Sequence, residues 1–325
     1  MHPAFASKPG FALARVPMSQ PRFVIGTRGS PLALVQARMV ADALEKAHGW
    51  TPGSVEIHTV KTSGDRIQDR PLADVGGKAL WTKELDLALL DRETHCSVHS
   101  MKDVESERPG TLVIAAMLPR ADVRDRLIGA ASIGSLPLNA RVGSSSPRRA
   151  AQLRRLRPDL EVMSIRGNVD TRLAKLGAGH VDATLLAAAG LDRLNRPDIG
   201  SPIELDEMLP APAQGAIGVE CRADDAATAQ LLAAIDHLET HRAVAAERAF
   251  TQALGGSCHS PVAALARIDG HAIEFACEIL SEDGREHVAE TARFDIDNFA
   301  APAELARRML AMAPASIRRL FEPAD

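Results

Sequence analysis

Three groups of residues in this chain have types and spacings that could do chemistry. The first is "LGGSCHSPVA" (Leu254–Ala263), where Cys258 follows two glycines and a serine and precedes His259. From the loop alone, Cys258 could be a nucleophile paired with His259 or a buried inert thiol, the commonest fate of a cysteine. No second ligand pair stands at metal spacing, so no metal site is expected. A small-residue loop suits a sulfur that something large approaches. The second group is "VHSMKDV", which sets Lys102 and Asp103 just after an apolar run. A carboxylate there can stabilise a developing cation or pass protons; equally, the two can form a plain surface pair. The third group is cationic. Arg28 and Ser30 stand in "GTRGSP", and Ser144, Ser145, Ser146, Arg148 and Arg149 in "GSSSPRR". Arg166, Gly167 and Arg172 stand in "SIRGNVDTR", and Arg193 follows "AAAGLD". Helix N-terminal N–H groups with hydroxyls and arginine make an anion site, and the guanidinium fork suits carboxylates. Singly, each is an ordinary cap or solvated arginine; as a set, they point to one carboxylate-rich ligand. A fourth stretch, "DVGGKALWTKEL", carries Gly76, Gly77, Lys78 and Trp81 and reads as a loop able to close over a ligand, or as a plain turn into a helix.

The elements that must position these residues follow from local signals. Ser30-Pro31 is an N-cap followed by proline at the first helical position, and the apolar spacing beyond it is helical. Ser146-Pro147 repeats the design. Short strands are expected at Phe23–Gly26, Val55–Val60, up to His99, Leu112–Met117, up to Gly143, Leu160–Ile165 and Val181–Ala187, with helices between them. That alternation predicts two similar α/β lobes, each with a largely parallel sheet, and a cleft between them. Ligands of such sheets bind at the carboxyl ends of the strands, where the arginines fall. A helix over Leu238–Leu254, three alternating segments (Val262–Ile268, Ala272–Leu280, Val288–Phe294) and a helix from Ala301 predict a smaller α+β domain with a three-stranded antiparallel sheet.

Composition narrows the function. The 325 residues are 46% hydrophobic and 25% charged, enough for a proper core. Net charge is −4, yet Arg141–Lys175 holds nine Arg or Lys against three acids, a local excess of +6. Arg154, Arg155 and Arg157 fall near the negative end of their helix and read as surface residues. Without interleaved aromatics, and on an acidic chain, that stretch is not read as a nucleic-acid site. The four cysteines form no C-x-x-C pair, which fits free thiols and a cytoplasmic protein. No apolar run reaches the roughly 18 residues of a membrane helix. Residues 1–21 carry Lys8 and Arg15 and no acid; they read as a flexible extension with a faint likeness to a targeting peptide.

In order, "RGSPLA", "PLADVGGKALWTKELD", "VHSMKDV", "GSSSPRRAAQL", "RGNVDTRLAKL", "APAQGAIGVECR" and "LGGSCHSPVA" closely resemble the porphobilinogen deaminases, also called hydroxymethylbilane synthases. The resemblance runs from about Arg22 to the end of the third domain. It implies two periplasmic-binding-protein-like lobes and a third domain carrying the cysteine, divided as residues 22–119 with 215–236, 120–214, and 237–325. It implies a dipyrromethane cofactor held by a thioether on Cys258, Asp103 as the catalytic carboxylate, and Arg28, Ser30, Lys102, Ser144, Ser146, Arg148, Arg149, Arg166, Arg172 and Arg193 as carboxylate binders, with Gln214 at the interdomain strand. Four porphobilinogen molecules would be joined head to tail with loss of ammonia. Hydroxymethylbilane, freed by water, would pass to a cyclising enzyme, and the protein would be a monomer. Trp81 stands where many members have Phe, Asp74 where Lys is frequent and Ser144 where Thr is frequent. Two other readings remain at this point: a non-catalytic two-lobed carboxylate binder or sensor, and a Cys–His thiol enzyme.

Overall fold

The computed structural model describes residues 23–61, 82–257 and 259–322. Residues 1–21, the stretch with Gly76, Gly77, Lys78 and Trp81, and Cys258 itself lie outside the described residues.

The first lobe begins with β1 (Phe23–Arg28), whose apolar residues are buried, and turns through Gly29 and Ser30 into α1 (Pro31–His48). Ser30 Oγ accepts from the Ala33 N–H at 3.3 Å, and α1 ends where Gly49 adopts φ 65°. β2 (Val55–Val60), α2 (Lys83–Leu90), β3 (Cys96–Ser100) and β4 (Leu112–Met117) follow. The second lobe holds β5 (Asp125–Ile128), β6 (Arg141–Gly143), α3 (Pro147–Leu156), β7 (Glu161–Met163), α4 (Val169–Gly177), β8 (Ala183–Ala187), α5 (Ala188–Arg193) and β9 (Ser201–Pro202). Ser146 caps α3 by accepting from the Arg149 N–H, as Ser30 caps α1. The chain then returns to the first sheet as β10 (Ile217–Arg222), followed by α6 (Ala226–Ala233).

The two sheets have the orders β2-β1-β3-β10-β4 and β7-β6-β8-β5-β9. Four of the five strands in each sheet run the same way, as the alternation of elements predicts, and one runs against them. β10 runs antiparallel to β3 and β4, and β5 antiparallel to β8 and β9. Both follow crossings between the lobes, whereas parallel neighbours come from helical crossovers within one lobe. The strand expected over Leu160–Ile165 is shorter, because Ser145 Oγ donates to the Ile165 carbonyl at 2.6 Å and ties that residue into a loop.

The third unit comprises α7 (Leu238–Leu254), the meander β11 (Val262–Asp269), β12 (Ala272–Leu280) and β13 (His287–Asp295), then α8 (Ala301–Met312) and α9 (Ala315–Arg318). Alternating inward residues of the sheet meet α7 and α8 around Phe250 and Phe275, whose rings lie 5.4 Å apart.

A separate apolar cluster of Met101, Val104, Met117, Ala213, Ala216 and Val244 draws on both lobe crossings and on α7. Beside it, the buried Glu247 carboxylate accepts from Arg120 Nη1 and Nη2 at 2.7 and 2.9 Å, from the Ala213 N–H at 2.6 Å and from the Ala266 N–H at 2.7 Å. Ala213 has φ 62°, a left-handed conformation unfavourable for a residue with Cβ, and its bond to Glu247 holds it there. Both lobe crossings are thus fastened to one side chain of the third unit.

Candidate active site

The carboxyl ends of the lobe strands face one another across a cleft of about 900 Å³. Arg28, Ser30, Lys102, Asp103, Ser145, Ser146, Arg148, Arg149, Arg166, Gly167, Arg172, Arg193 and Gln214 all line it. Of the predicted residues within the described chain, only Ser144 stays outside the lining. It is buried, with Oγ accepting from the Ser146 N–H at 3.2 Å, so it shapes the turn beneath the cleft. Ser257 and His259, the sequence neighbours of Cys258, also line the cleft.

Asp103 ends a short 3₁₀ turn, Met101–Asp103, directly after β3. Met101 is packed beneath it so closely against Gly218 that a Cβ at position 218 would lie 2.0 Å from Met101 Sδ. Downstream, Arg248 of α7 donates to the carbonyls of Val104, Glu105 and Ser106 at 3.1, 2.6 and 3.2 Å. Arg108 then pairs with the buried Glu220 at 2.8 Å. Burial pushes the Glu220 carboxyl up, but His99 and Arg108 outweigh it and draw it down to about 2. The turn that presents Asp103 is therefore clamped from below and behind.

Arg148 and Arg149, adjacent on the first turn of α3, share one acid. Asp125 Oδ2 accepts from Arg148 Nη2 and Oδ1 from Arg149 Nη2, each at 2.7 Å. Gln214 Nε2 also donates to Asp125 Oδ1, at 2.8 Å. Burial raises the Asp125 carboxyl, but the two guanidiniums overcome it and hold it far below the usual carboxylate range. Asp125 is 3% exposed and was not singled out in the sequence. The only signal was that two consecutive arginines entering an interior need an acid between them.

Elsewhere in the second lobe, Gly167 adopts φ 115°, and a Cβ there would lie 2.5 Å from Thr171 Cβ. Glycine thus lets the chain fold back so that its carbonyl accepts from Arg172 Nε at 3.0 Å. Burial, then the nearby Arg149, pulls the Arg172 guanidinium down to about 10, with Asp103 opposing. Burial likewise pulls Arg193 to about 10 and the Lys102 ammonium to about 8, with Asp103 opposing in the case of Lys102. Crowded cations of this kind call for anionic guests. The buried Nε–H groups of Arg148, Arg149 and Arg193, all in residues lining the cleft, find no acceptor among the described residues. Those donors fit a group bearing several carboxylates.

Arg154, Arg155 and Arg157 are not idle surface residues. Arg154 donates to the Glu282 carbonyl at 2.8 Å, Arg155 pairs with the buried Glu278 at 3.1 Å, and Arg157 pairs with Asp159 at 2.7 Å. Cys96, Cys221 and Cys277 are buried free thiols, and burial raises all three, Cys221 to about 11 and Cys277 to about 12. Among the described residues, no cluster of three metal-ligating side chains exists, and no helix is long and apolar enough to cross a membrane.

Residues 23–230 match a family model described as porphobilinogen deaminase, dipyromethane cofactor binding domain, and residues 241–311 match porphobilinogen deaminase, C-terminal domain. A porphobilinogen deaminase of Sphingopyxis alaskensis is 58% identical over 304 residues, spanning 91% of this chain and 96% of that protein. One from Paracoccus denitrificans is 49% identical over 307 residues, spanning 93% of this chain and 98% of that protein. Among solved structures, a periplasmic substrate-binding protein of an ABC transporter from Coxiella burnetii matches with a TM-score of 0.40 and 14% identity, over 66% of this chain and 91% of that chain.

Proposed function

The chain belongs to the porphobilinogen deaminase family, and from that premise we propose how its own residues carry out the family's reaction. It is a transferase of tetrapyrrole synthesis. It joins four porphobilinogen molecules head to tail onto a dipyrromethane cofactor with release of ammonia, then frees the linear tetrapyrrole by hydrolysis. A non-catalytic carboxylate binder or sensor is not favoured. The cofactor, when bound, supplies the pyrrole carbon onto which the first substrate is joined.

The observation that carries the assignment of roles is the convergence of Arg28, Lys102, Arg148, Arg149, Arg166, Arg172 and Arg193 with Asp103 on one cleft. The cations bind the acetate and propionate groups of the pyrroles, and Ser30, Ser145 and Ser146 add hydroxyls and helix N–H groups at the two Ser-Pro starts. Ser144 and Gly167 shape the turns that present these groups, and Gln214 orients Asp125. When ammonia leaves the aminomethyl group of porphobilinogen, the remaining cation needs a nearby negative charge. Asp103 provides it, and takes the proton released as the new carbon–carbon bond forms. Cys258 is the attachment point, and the segment with Gly76, Gly77, Lys78 and Trp81 covers the bound pyrroles. We further propose the division into residues 22–119 with 215–236, 120–214 and 237–325, a monomeric cytoplasmic protein, and hydroxymethylbilane handed to a cyclising enzyme.

Intact-protein mass spectrometry tests the attachment. Protein made in cells that supply porphobilinogen is expected to carry the added mass of one dipyrromethane, and Cys258→Ala none. An unmodified, folded wild-type protein from such cells would refute the role of Cys258.

Lys102 gives a pH dependence. Its ammonium, lowered to about 8, is charged below that pH and neutral above it. Loading of the cofactor-free protein with porphobilinogen should therefore slow as pH rises through about 8. Lys102→Gln should load slowly throughout and lose that inflection. An inflection unchanged in the variant would place its origin elsewhere.

A further inference from the structure

Arg148 is held, on the side away from Asp125, by hydrogen bonds that lead into the third unit. Its Nη1 donates to Gln152 Oε1 at 2.9 Å and to the Leu209 carbonyl at 2.8 Å. Gln152 is fully buried one turn along α3, and its Nε2 donates to Glu278 Oε2 at 3.0 Å and to the Leu209 carbonyl at 3.2 Å. Both partners of Nε2 only accept, so the amide must turn its oxygen toward Arg148. Glu278, on β12, is 4% exposed, and its other oxygen pairs with Arg155 at 3.1 Å. The surfaces meet closely here: a Cβ on Gly284 would lie 2.3 Å from the Ala151 carbonyl oxygen. Without Glu278, the Gln152 amide loses one of the two acceptors that fix it, and only the Leu209 carbonyl is left to hold its N–H₂ away from a guanidinium that has only donors.

We infer that Glu278 is a positioning residue for the pyrrole cleft: through Gln152 it fixes the Arg148 guanidinium, so the third domain sets the geometry with which the second lobe grips carboxylates. This rests on the proposed role of Arg148 as a carboxylate binder.

The test uses full-length holoenzyme and measures KM and kcat for porphobilinogen, with cofactor content read by intact mass. Glu278→Ala is expected to raise KM about 5–10-fold, the effect of one ordinary hydrogen bond, with kcat changed less than about 3-fold. Glu278→Gln, which still offers Gln152 an acceptor, should return KM to near wild type. Arg155→Ala, which breaks the ion pair but not the amide contact, should leave KM unchanged. The double variant Gln152→Ala/Glu278→Ala should be no worse than Gln152→Ala, because the two act in series. Should Glu278→Ala not fold, Glu278→Leu fills the same space and carries the same expectation. An unchanged KM in Glu278→Ala, with Arg148→Ala impaired, overturns this inference alone. A KM raised equally by Arg155→Ala also overturns it, since a loosened interface would then explain both. Normal KM and cofactor content in Arg148→Ala overturn the carboxylate role and this inference together.

Discussion

Asp103→Ala is expected to keep its fold and its cofactor while losing turnover by roughly 10²–10⁴-fold, the range for removing a positioned acid–base group. The fold survives because Asp103 is only half-buried, while Met101 beneath it and Arg248 behind it make the contacts that hold the turn. The cofactor should survive because its carboxylate binders are other residues. What is lost is the negative charge opposite the cation that remains when ammonia departs. Asp103→Asn separates charge from shape: it should be nearly as inactive as alanine although its side chain is the same size. Ammonia release at saturating porphobilinogen, with intact mass on the same sample, checks both parts. Asp103→Ala releasing ammonia at near wild-type rate would remove Asp103 from the reaction.

Asp125→Ala is expected to act in the opposite way, through stability first. It leaves the Nη2 groups of Arg148 and Arg149 and the Gln214 amide without their shared acceptor, in residues that are buried. Removing one partner of a buried ion pair costs about 3–5 kcal/mol, because the remaining charge stays desolvated. Two arginines share this loss, so the urea midpoint should fall clearly and cofactor content should drop with it. Asp125→Asn keeps an oxygen acceptor but no charge and should fall between. The same carboxylate makes a pH prediction. Its folded-state pKa is depressed, so its stabilisation is complete above the ordinary aspartate value of about 4 and is lost as pH falls further. Wild-type stability should therefore decline in acid more steeply than that of Asp125→Asn. A urea midpoint unmoved by Asp125→Ala would show that the arginines do not depend on it.

Local features of this site were legible in the sequence, and distant partnerships were not. Ser30-Pro31 and Ser146-Pro147 announce helix starts because a cap and its N–H partner lie three residues apart. The three-stranded meander reads clearly because each strand pairs with the next. Asp125 did not read as functional, since its arginines lie 23 and 24 residues away. Glu247 and Arg120 are 127 residues apart, and Arg108 and Glu220 are 112 apart. Nothing in local spacing encodes such pairings; they appear only once β10 has returned to the first sheet and α7 has docked. The antiparallel insertion of β10 and β5 into their sheets has no local signal for the same reason. The role proposed for Cys258 came from the ordered set of motifs, not from its loop, where an inert thiol was the preferred reading.

The bonds to Glu247 have a mechanical consequence. One carboxylate holds Arg120 on the outgoing crossing, Ala213 on the returning one and Ala266 in the third unit, and it sits on the same helix that runs toward the cysteine loop. It is a fulcrum. Any change of angle between the lobes would turn about this carboxylate, on the helix that leads to the loop of the proposed attachment cysteine.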